Sequence, residues 1–594
     1  MGRKRAWRLL AADIKSAFMK GEFFDEDREL YMENVRNPNE PQLPFPDLVR
    51  VKKGVFGLSD APRMWYLRLN KALIAQGWER SHMDFACWLL WSDDRKHLHG
   101  IILSHVDDLL LGGDLIAQEK MLSLGKELGY GSISYDKFTY CGKKIEQLAD
   151  GSIQITMKEY HENLKPVSIP AHRRAQPDSP LNEPERRQLR AVLGSLQWLV
   201  AQLRFDMGFM LSTLQGEAPL VKTLMKANVL LKQFKQHSDF ALNFNPLDLE
   251  GSGILVVTDA SLGNVTKLGA ADGTISEKVY SQSAYFVLLA DRDLLSGKEG
   301  SFTVIDARSH RLPRVCRSTY SAELQGTEEA ADVGIFCRGL YANFLGYPMN
   351  QRRALDAICA IPLALVTDAK DVYDKGTSDT PTYGAQKSLA FTVAWLRDVL
   401  SQPNTMLRWT ATENMFVDCG TKDMDNDHMH RILRSGRWSV VFNQDFVKQK
   451  TGKRSSSGAA ANSEAAHVSL SGEFLGEKSP IFPYLAQLSS SPGWHHRDGV
   501  VINVAKQAKS FRTPTARFDP KEFCLRTTYG RFDSADGRSE WRILGEAEKY
   551  GEAQNPHALL GRTAAVLVSV FRSSLPTIEE DELKLHDHGK ELMT

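Results

Sequence analysis

Cysteine is scarce in this chain and follows no pattern. Seven occur in 594 residues, at positions 87, 141, 316, 337, 359, 419 and 524, with no Cys-x-x-Cys spacing. That scatter argues for reduced thiols and against a disulfide framework or a zinc site. Long apolar runs are missing too: none reaches the roughly 18 consecutive residues of a membrane-spanning helix. The start, Met-Gly-Arg-Lys-Arg-Ala-Trp-Arg-Leu-Leu, meets Asp13 and Lys15 too early for the apolar core of a signal peptide. No membrane partner is expected, and an intracellular setting, cytoplasmic or nuclear, follows by default. Charge of one sign is also lacking, since 74 Lys and Arg face 73 Asp and Glu for a net charge of +1. Any affinity for nucleic acid must therefore come from local basic clusters rather than from the total. What remains is the balance of a soluble globular protein, 42% apolar and 25% charged, long enough for about three to five domains.

The stretch that organises the chain is 100–114, Gly-Ile-Ile-Leu-Ser-His-Val-Asp-Asp-Leu-Leu-Leu-Gly-Gly-Asp. Asp107 and Asp108 sit between two apolar runs that look like the strands of one hairpin, with the glycines arriving only afterwards. Two ionised carboxylates about 4 Å apart repel by roughly 4 kcal/mol at an effective dielectric near 20, a cost that a divalent cation removes. Taken alone, such a pair reads either as a solvated turn or as a metal site. Asp13, in Ala-Ala-Asp-Ile-Lys-Ser-Ala-Phe, supplies a third carboxylate. Three are enough to hold two magnesium ions in oxygen coordination for an in-line phosphoryl displacement.

Three blocks in order, Asp-Ile-Lys-Ser-Ala-Phe-Met-Lys-Gly-Glu-Phe, Val-Phe-Gly-Leu-Ser-Asp-Ala-Pro-Arg-Met-Trp-Tyr and His-Val-Asp-Asp-Leu-Leu-Leu-Gly-Gly, resemble the reverse transcriptase of copia-type LTR retrotransposons. The resemblance implies that Asp13 is the palm carboxylate of the first motif and that Asp107 and Asp108 are the catalytic pair. It makes Phe18 the aromatic gate against a ribose 2′-hydroxyl, and Gly57 the position where backbone approaches template and incoming nucleotide, which suits a residue without Cβ. Family members carry a fingers segment before the first motif, which this chain is expected to lack, so that a partner chain or self-association would have to supply it. They also have Lys-Gln where Ser59-Asp60 stands here, and a tyrosine where His105 stands. His105 reads as a strand residue making one hydrogen bond in preference to a metal ligand.

Along the chain, the Pro-rich 25–50 reads as a surface loop. A helix is expected to begin near Ala61-Pro62 with a core face of Trp65, Leu69, Leu73 and Ile74. Residues 138–145 and 151–160 suggest a hairpin followed by a helix. His172, Arg173, Arg174, Arg186, Arg187 and Arg190 precede a helix expected over 189–203, and either track a phosphate backbone or form a solvated face. The run Leu-Gly-Ser-Leu-Gln-Trp-Leu with Arg204-Phe-Asp206 resembles the family's connection region.

A second acidic set follows. Strands are expected from Gly253 to Asp259, over 277–290 and over 361–366, the last followed by Thr367-Asp368. A capped helix is expected over 318–331, and another helix is expected to start around Glu413 to Lys422. A lone Asp after a strand is usually a helix cap, but a mixed sheet with flanking helices can gather four acids at one edge. Asp259, Glu323, Asp368 and Asp418 resemble, in order, the Asp-Glu-Asp-Asp set of the ribonuclease H domain that follows the polymerase in these elements. Two metal ions there would activate water and stabilise the leaving 3′-oxygen as RNA is cut. Between strand and helix lie Arg308, Arg311, Arg314 and Arg317 without an acid among them, either a hold for hybrid phosphates or a solvated basic loop. Trp409 reads as core.

The expected architecture is α+β and α/β multidomain. It has a palm core lacking most of the fingers over 1–170, thumb and connection helices over 171–250, and a ribonuclease H-like mixed sheet with flanking helices over 251–440. A flexible linker over 441–480 and an unassigned, largely irregular region over 481–594, with a helical stretch at 558–571 and a charged end at 579–590, follow. The resemblance implies an RNA-directed DNA polymerase with ribonuclease H cleavage of RNA/DNA hybrids. It would use Mg2+, two per site, with Mn2+ as an alternative, and act on RNA template, DNA primer strand, RNA/DNA hybrid and dNTPs. The competing reading is a catalytically decayed, host-fused retrotransposon remnant that at most binds nucleic acid.

Overall fold

The computed structural model describes residues 7–33 and 48–440 apart from 246, 248–250, 270–275, 350–353 and 381–385, together with the strands Trp494–Arg497, Val500–Asn503, Tyr529–Asp533 and Ser539–Ile543. The chain divides into one unit of residues 1–448 with 557–594 and a second of 449–556. In the second, the four strands make two separate antiparallel pairs. The expected linker over 441–480, the helical stretch at 558–571 and the charged end at 579–590 lie outside the described residues.

The first sheet is built from β1 (Arg8–Ile14), β4 (Glu79–Arg80), β5 (Cys87–Trp91), β6 (Leu98–His105), β7 (Asp108–Gly113) and β8 (Tyr130–Tyr135), in the order β4-β5-β6-β7-β1-β8 and antiparallel throughout. Between β1 and β4 lie β2 (Tyr31–Glu33) and β3 (Leu48–Arg50), which pair with each other; β3 falls on the strand-like Leu-Val-Arg-Val at 48–51, and β2 alone departs from the loop reading. Helices α1 (Ala61–Ala75) and α2 (Leu115–Leu128) cover one face, where Leu10, Ala12, Ile102, Leu109 and Leu111 pack with Trp65, Leu69, Leu73 and Met121. Leu9, Ile101, Leu103 and Leu110 are buried on the other. Burial on both faces is why these strands are continuous apolar runs; each such side chain contributes about 1.5–3 kcal/mol. Ile74, expected in the core, is instead exposed on the far side of α1.

The second sheet comprises β9 (Lys137–Tyr140), β10 (Lys143–Gln147), β11 (Ile153–Thr156) and β12 (Ala241–Phe244), ordered β12-β11-β10-β9. Between β11 and β12 run α3 (Lys158–Asn163), α4 (Ala171–Arg174), α5 (Glu183–Gln202), α6 (Gly208–Gln215) and α7 (Val221–Gln236). Helix α5 starts six residues before the expected position because Asn182 and Glu185 close a reciprocal capping box. Arg186, Arg187 and Arg190 therefore lie on the helix rather than ahead of it.

The third sheet contains β13 (Gly253–Gly269), β14 (Ser276–Ala290), β15 (Gly300–Arg311), β16 (Leu363–Thr367), β17 (Thr405–Trp409) and β18 (Arg437–Trp438), in the order β17-β16-β13-β14-β15-β18. Strands β16 and β17 run parallel to β13 and the rest pair antiparallel. The intervening helices are α8 (Arg292–Leu295), α9 (Thr319–Phe344), α10 (Ala354–Cys359), α11 (Lys370–Thr377), α12 (Ala390–Leu400) and α13 (Asp427–Ser435). Strand β15 has no counterpart among the expected elements. Helix α9 settles directly on β13: a Cβ on Gly334 would stand 2.7 Å from Val256 Cγ2. Its far end reaches the first sheet, where Ser81 Oγ donates to Asn343 Oδ1 at 2.7 Å. Two antiparallel sheets and one mixed sheet, with helices packed on them, make the fold α+β. Among the described residues no helix is long and apolar enough to cross a membrane.

A buried cluster ties the middle helices to the third sheet. Arg204 and Asp206 are fully buried and pair through two hydrogen bonds of 2.9 Å. Arg204 also donates to Phe234 O at 2.7 Å and to His161 Nε2 at 3.3 Å. His161 hydrogen-bonds Met157 O through Nδ1, and burial holds its pKa down, which keeps Nε2 free to accept. Asp206 accepts from His430 Nε2 at 3.0 Å, and Asn426 donates to Asp206 O at 3.0 Å. Burial pushes the Asp206 carboxyl up, but the hydrogen bonds from His430 and Arg204 outweigh it and bring the group down to about 2. Replacing Asp206 with Asn leaves a buried guanidinium uncompensated, and a loss of about 3–5 kcal/mol is expected from urea unfolding. The Asp206 contribution is full above about pH 4 and drains away as pH falls towards 2. A variant within about 1 kcal/mol of the parent would show that the pair is dispensable.

Candidate active sites

Asp13 is the last residue but one of β1 and stands directly opposite Asp108, the first residue of β7, in the antiparallel register; Asp107 precedes it in the hairpin turn. All three acids are half-buried. Ile14 N donates to Asp107 O at 2.9 Å, fixing the turn to β1. The turn is strained, because Val106 adopts φ 60° although it is β-branched. What holds it is the indole of Trp65 on α1, whose Nε1 donates to Val106 O at 2.6 Å. Trp65 thus links the helical face to the acids. On the other side, a Cβ on Gly131 of β8 would lie 2.6 Å from Asp13 Oδ2, so β8 presents bare backbone to that carboxylate. Burial, then Asp107, then Asp13 push the Asp108 carboxyl up to about 6.

Phe18 lies in a short 3-10 helix, Ala17–Lys20, just after β1 and meets Phe56 edge-on with ring centroids 5.1 Å apart. Gly57 follows with φ 96°, a conformation that glycine alone adopts without strain. Asp60 is turned to Arg28 in an ion pair.

In the second acidic set Asp259, Glu323 and Asp368 converge from the elements expected of them, and only the placement of Asp418 differs. Asp259 lies within β13, which continues to Gly269 past a bulge between Ser261 and Val265. Glu323 is in α9, and Asp368 directly follows β16. Asp418 sits in a 3-10 turn, Asp418–Gly420, and not at the start of a helix; α13 begins only at Asp427. Oxygen atoms of Asp259, Glu323 and Asp368 all lie within 4.8 Å of one another. The parallel placement of β16 beside β13 delivers Asp368 to Asp259. Small side chains bring the last turn in: a Cβ on Gly420 would be 2.6 Å from Ala284, the cross-strand partner of Asp259.

Lys422 was not assigned from the sequence, although its spacing of four from Asp418 is a signal. Its Nζ lies 2.9 Å from Asp418 Oδ1 and 3.7 Å from Asp259 Oδ2. Thr421 Oγ1 donates to Asp259 Oδ2, Ala260 N to Glu323 Oε2 at 3.1 Å, and Thr412 Oγ1 to Asp368 Oδ2 at 2.8 Å. Trp409 is half-buried rather than part of the core, and its indole donates to the backbone Asp368 O at 2.8 Å, holding the chain that carries the acid. Burial raises Asp259 to about 7 against the opposing Lys422, with Asp418 and Asp368 adding to the rise. Burial and Asp259 raise Glu323, and burial raises Asp368. Lys422 is driven up by the acids around it despite its own burial. An all-oxygen set with mutually repelling charges at this separation suits a divalent cation such as magnesium.

The basic segments are less available than their sequence suggests. Arg308 and Arg311 end β15 rather than forming a loop, and Arg308 pairs with Glu329 at 3.4 Å. Arg314 pairs with Glu328 at 3.3 Å, and Arg317 is exposed. Arg173 is taken up by Glu185 at 2.7 Å, and Arg187 and Arg190 by Glu183 at 3.4 and 3.2 Å.

Comparison with known proteins finds likeness over part of the chain. Residues 1–166 match the family model described as reverse transcriptase (RNA-dependent DNA polymerase). The chain is a relative of the copia-type LTR retrotransposon Pol polyproteins. It is 27% identical over 225 residues to the retrovirus-related Pol polyprotein from transposon RE2 of Arabidopsis thaliana, covering 35% of this chain and 15% of that one. With the transposon Ty1-DR1 Gag-Pol polyprotein of Saccharomyces cerevisiae it shares 24% over 353 residues, 54% of this chain and 18% of the relative. With the Pol polyprotein from transposon TNT 1-94 of Nicotiana tabacum it shares 25% over 170 residues, 27% and 12% respectively. The chain therefore spans less than a fifth of the length of these relatives.

Two outcomes test the geometry. Trp65→Phe removes the donor to the strained turn and is expected to cost about 1–2 kcal/mol in urea unfolding; an unchanged midpoint would mean that the turn holds itself. Lys422→Met removes the ammonium between Asp259 and Asp418. Asp259 has a folded pKa of about 7 against roughly 3.9 unfolded, so its ionisation weakens the fold as pH rises through that window. The stability deficit of Lys422→Met should accordingly be small near pH 4, grow towards pH 8 and shrink on adding Mg2+. A deficit independent of pH would argue against charge compensation.

Proposed function

We propose that the chain is an RNA-directed DNA polymerase of the retrotransposon type, with a palm core around Asp13, Asp107 and Asp108 and a second, ribonuclease H-like site at Asp259, Glu323, Asp368 and Asp418. The single observation that carries the reading is the meeting of Asp259, Glu323 and Asp368, drawn from residues far apart in sequence, with their oxygens within 4.8 Å. The strand order β17-β16-β13-β14-β15, with β16 and β17 parallel to β13, supports a ribonuclease H-like sheet. For the polymerase half the support is the family match over 1–166 and the register that sets Asp13 opposite Asp108.

In the first site Asp13, Asp107 and Asp108 would hold magnesium, and in the second Asp259, Glu323, Asp368 and Asp418 would. When bound, the cation lowers the pKa of water or hydroxyl and offsets charge on the leaving oxygen. The chain's own part is to hold the carboxylates at fixed spacing. Trp65 anchors the turn carrying Asp107, and Thr421 and Thr412 orient Asp259 and Asp368. Phe18, beside Phe56 and Gly57, would flank the incoming nucleotide, with the ring as its gate. Arg308, Arg311, Arg314 and Arg317 would face hybrid phosphates, RNA template and DNA primer being the partners.

One observation favours the second reading, a decayed remnant that at most binds nucleic acid: Arg173, Arg187, Arg190, Arg308 and Arg314 are engaged by this chain's own carboxylates. Both halves are tested with purified full-length protein. Magnesium-dependent cleavage of a labelled RNA/DNA hybrid should fall in Asp259→Asn by more than the roughly 10–100-fold that loss of an outer-shell partner costs. Primer extension should fall likewise in Asp107→Asn. Absence of both activities at every magnesium and manganese concentration supports the remnant, and extension that survives Asp107→Asn removes that residue from the site.

A further inference from the structure

Asp108 has neighbours of a different kind on its other side. His105 is its cross-strand partner in the hairpin. Cys141 arrives from the turn between β9 and β10, two sequence segments away. An imidazole nitrogen, a carboxylate oxygen and the Cys141 sulfur all lie within 4.8 Å of one another, and all three residues are half-buried.

The turn that carries Cys141 is unusual for the residue it holds. Cys141 and Gly142 both have positive φ, 49° and 75°, between paired Tyr140 and Lys143. This is the two-residue hairpin geometry that favours Asn-Gly, and a cysteine at its first position is held against its own preference. The consequence is that Sγ is presented to Asp108 by rigid ladders on both sides. His105 and Asp108 are equally fixed, as the last residue of β6 and the first of β7, paired across the turn.

Donor chemistry identifies the ligand class. Magnesium and calcium take oxygen sets, whereas one nitrogen, one sulfur and one carboxylate oxygen suit zinc with a fourth position for water. We propose that His105, Asp108 and Cys141 form a zinc site that shares Asp108 with the all-carboxylate set, so that zinc on one side and magnesium on the other compete for that side chain. Zinc must displace the thiol proton of Cys141, which burial holds well up, to about 11, so binding releases a proton. Cysteine spacing did not disclose the site because its ligands come from two separate hairpins. The zinc site itself stands on this geometry alone; only the competition rests on reading Asp108 as a magnesium carboxylate.

Full-length protein titrated with Co2+ as a zinc surrogate should develop a sulfur-to-cobalt charge-transfer band and visible ligand-field bands saturating at one equivalent, and Zn2+ should bleach them. Cys141→Ser should abolish the charge-transfer band and weaken zinc binding by roughly 100-fold or more. Cys141→Asn, which suits the left-handed position and keeps the turn, should do the same, while Cys316→Ser leaves the band intact. No band in the folded parent, or a band that survives both Cys141 variants, overturns the proposal. Primer extension is read in parallel. Extension without the cobalt band removes the zinc site and leaves the polymerase, and the cobalt band without extension does the reverse.

Discussion

A guanidinium with no access to water, Arg204, and the carboxylate that answers it, Asp206, are the constraint on which the packing of the middle helices against α13 rests. Neither charge is tolerable alone in that environment. Each is therefore surrounded by groups from elsewhere: Phe234 and His161 from the helices between the second-sheet strands, His430 and Asn426 from around α13. The segment from Asp418 to Asn426 is thereby secured at its far end. That segment carries both Asp418 and Lys422, so the charge pair that fastens the helices also fixes one wall of the second acidic cluster.

The two acidic clusters meet one electrostatic problem in different ways. Around Asp259 the repulsion among acids is relieved inside the protein, by an ammonium lodged between two of them and by hydroxyl donors from Thr421 and Thr412. Around Asp108 the neighbours are an imidazole and a thiol. Burial first, and neighbouring carboxylates after it, raise the proton affinity of such acids, which is the direction seen at Asp108, Asp259, Glu323 and Asp368.

Much of this was legible in the residues. The hairpin at 98–113, helix α1 and the order of the four acids of the second set followed from apolar runs, caps and ordered motifs, because those signals are local. Strand β15 was missed because its Arg308 and His310 are polar where the ladder reaches the sheet edge, though Phe302, Val304 and Ile305 are buried. The early start of α5 was missed because the capping box Asn182–Glu185 lies in a run of charge. Basic clusters were read as free because their acid partners are distant in sequence or on the next helical turn, as Glu329 is to Arg308. The juxtaposition of His105 with Cys141 was invisible for a related reason: register between separate sheets has no signature along the chain.

Helix α9 runs unbroken for 26 residues. It bears Glu323 near its beginning and Asn343, bonded to Ser81 of the first sheet's approach to β5, near its end. Twenty residues at about 1.5 Å each separate these points by about 30 Å. A strut of that length does not stretch, so the distance from the Glu323 cluster to the edge of the first sheet is set by a count of residues, and a single-residue insertion within it would rotate one end against the other by about 100° as well as lengthen it.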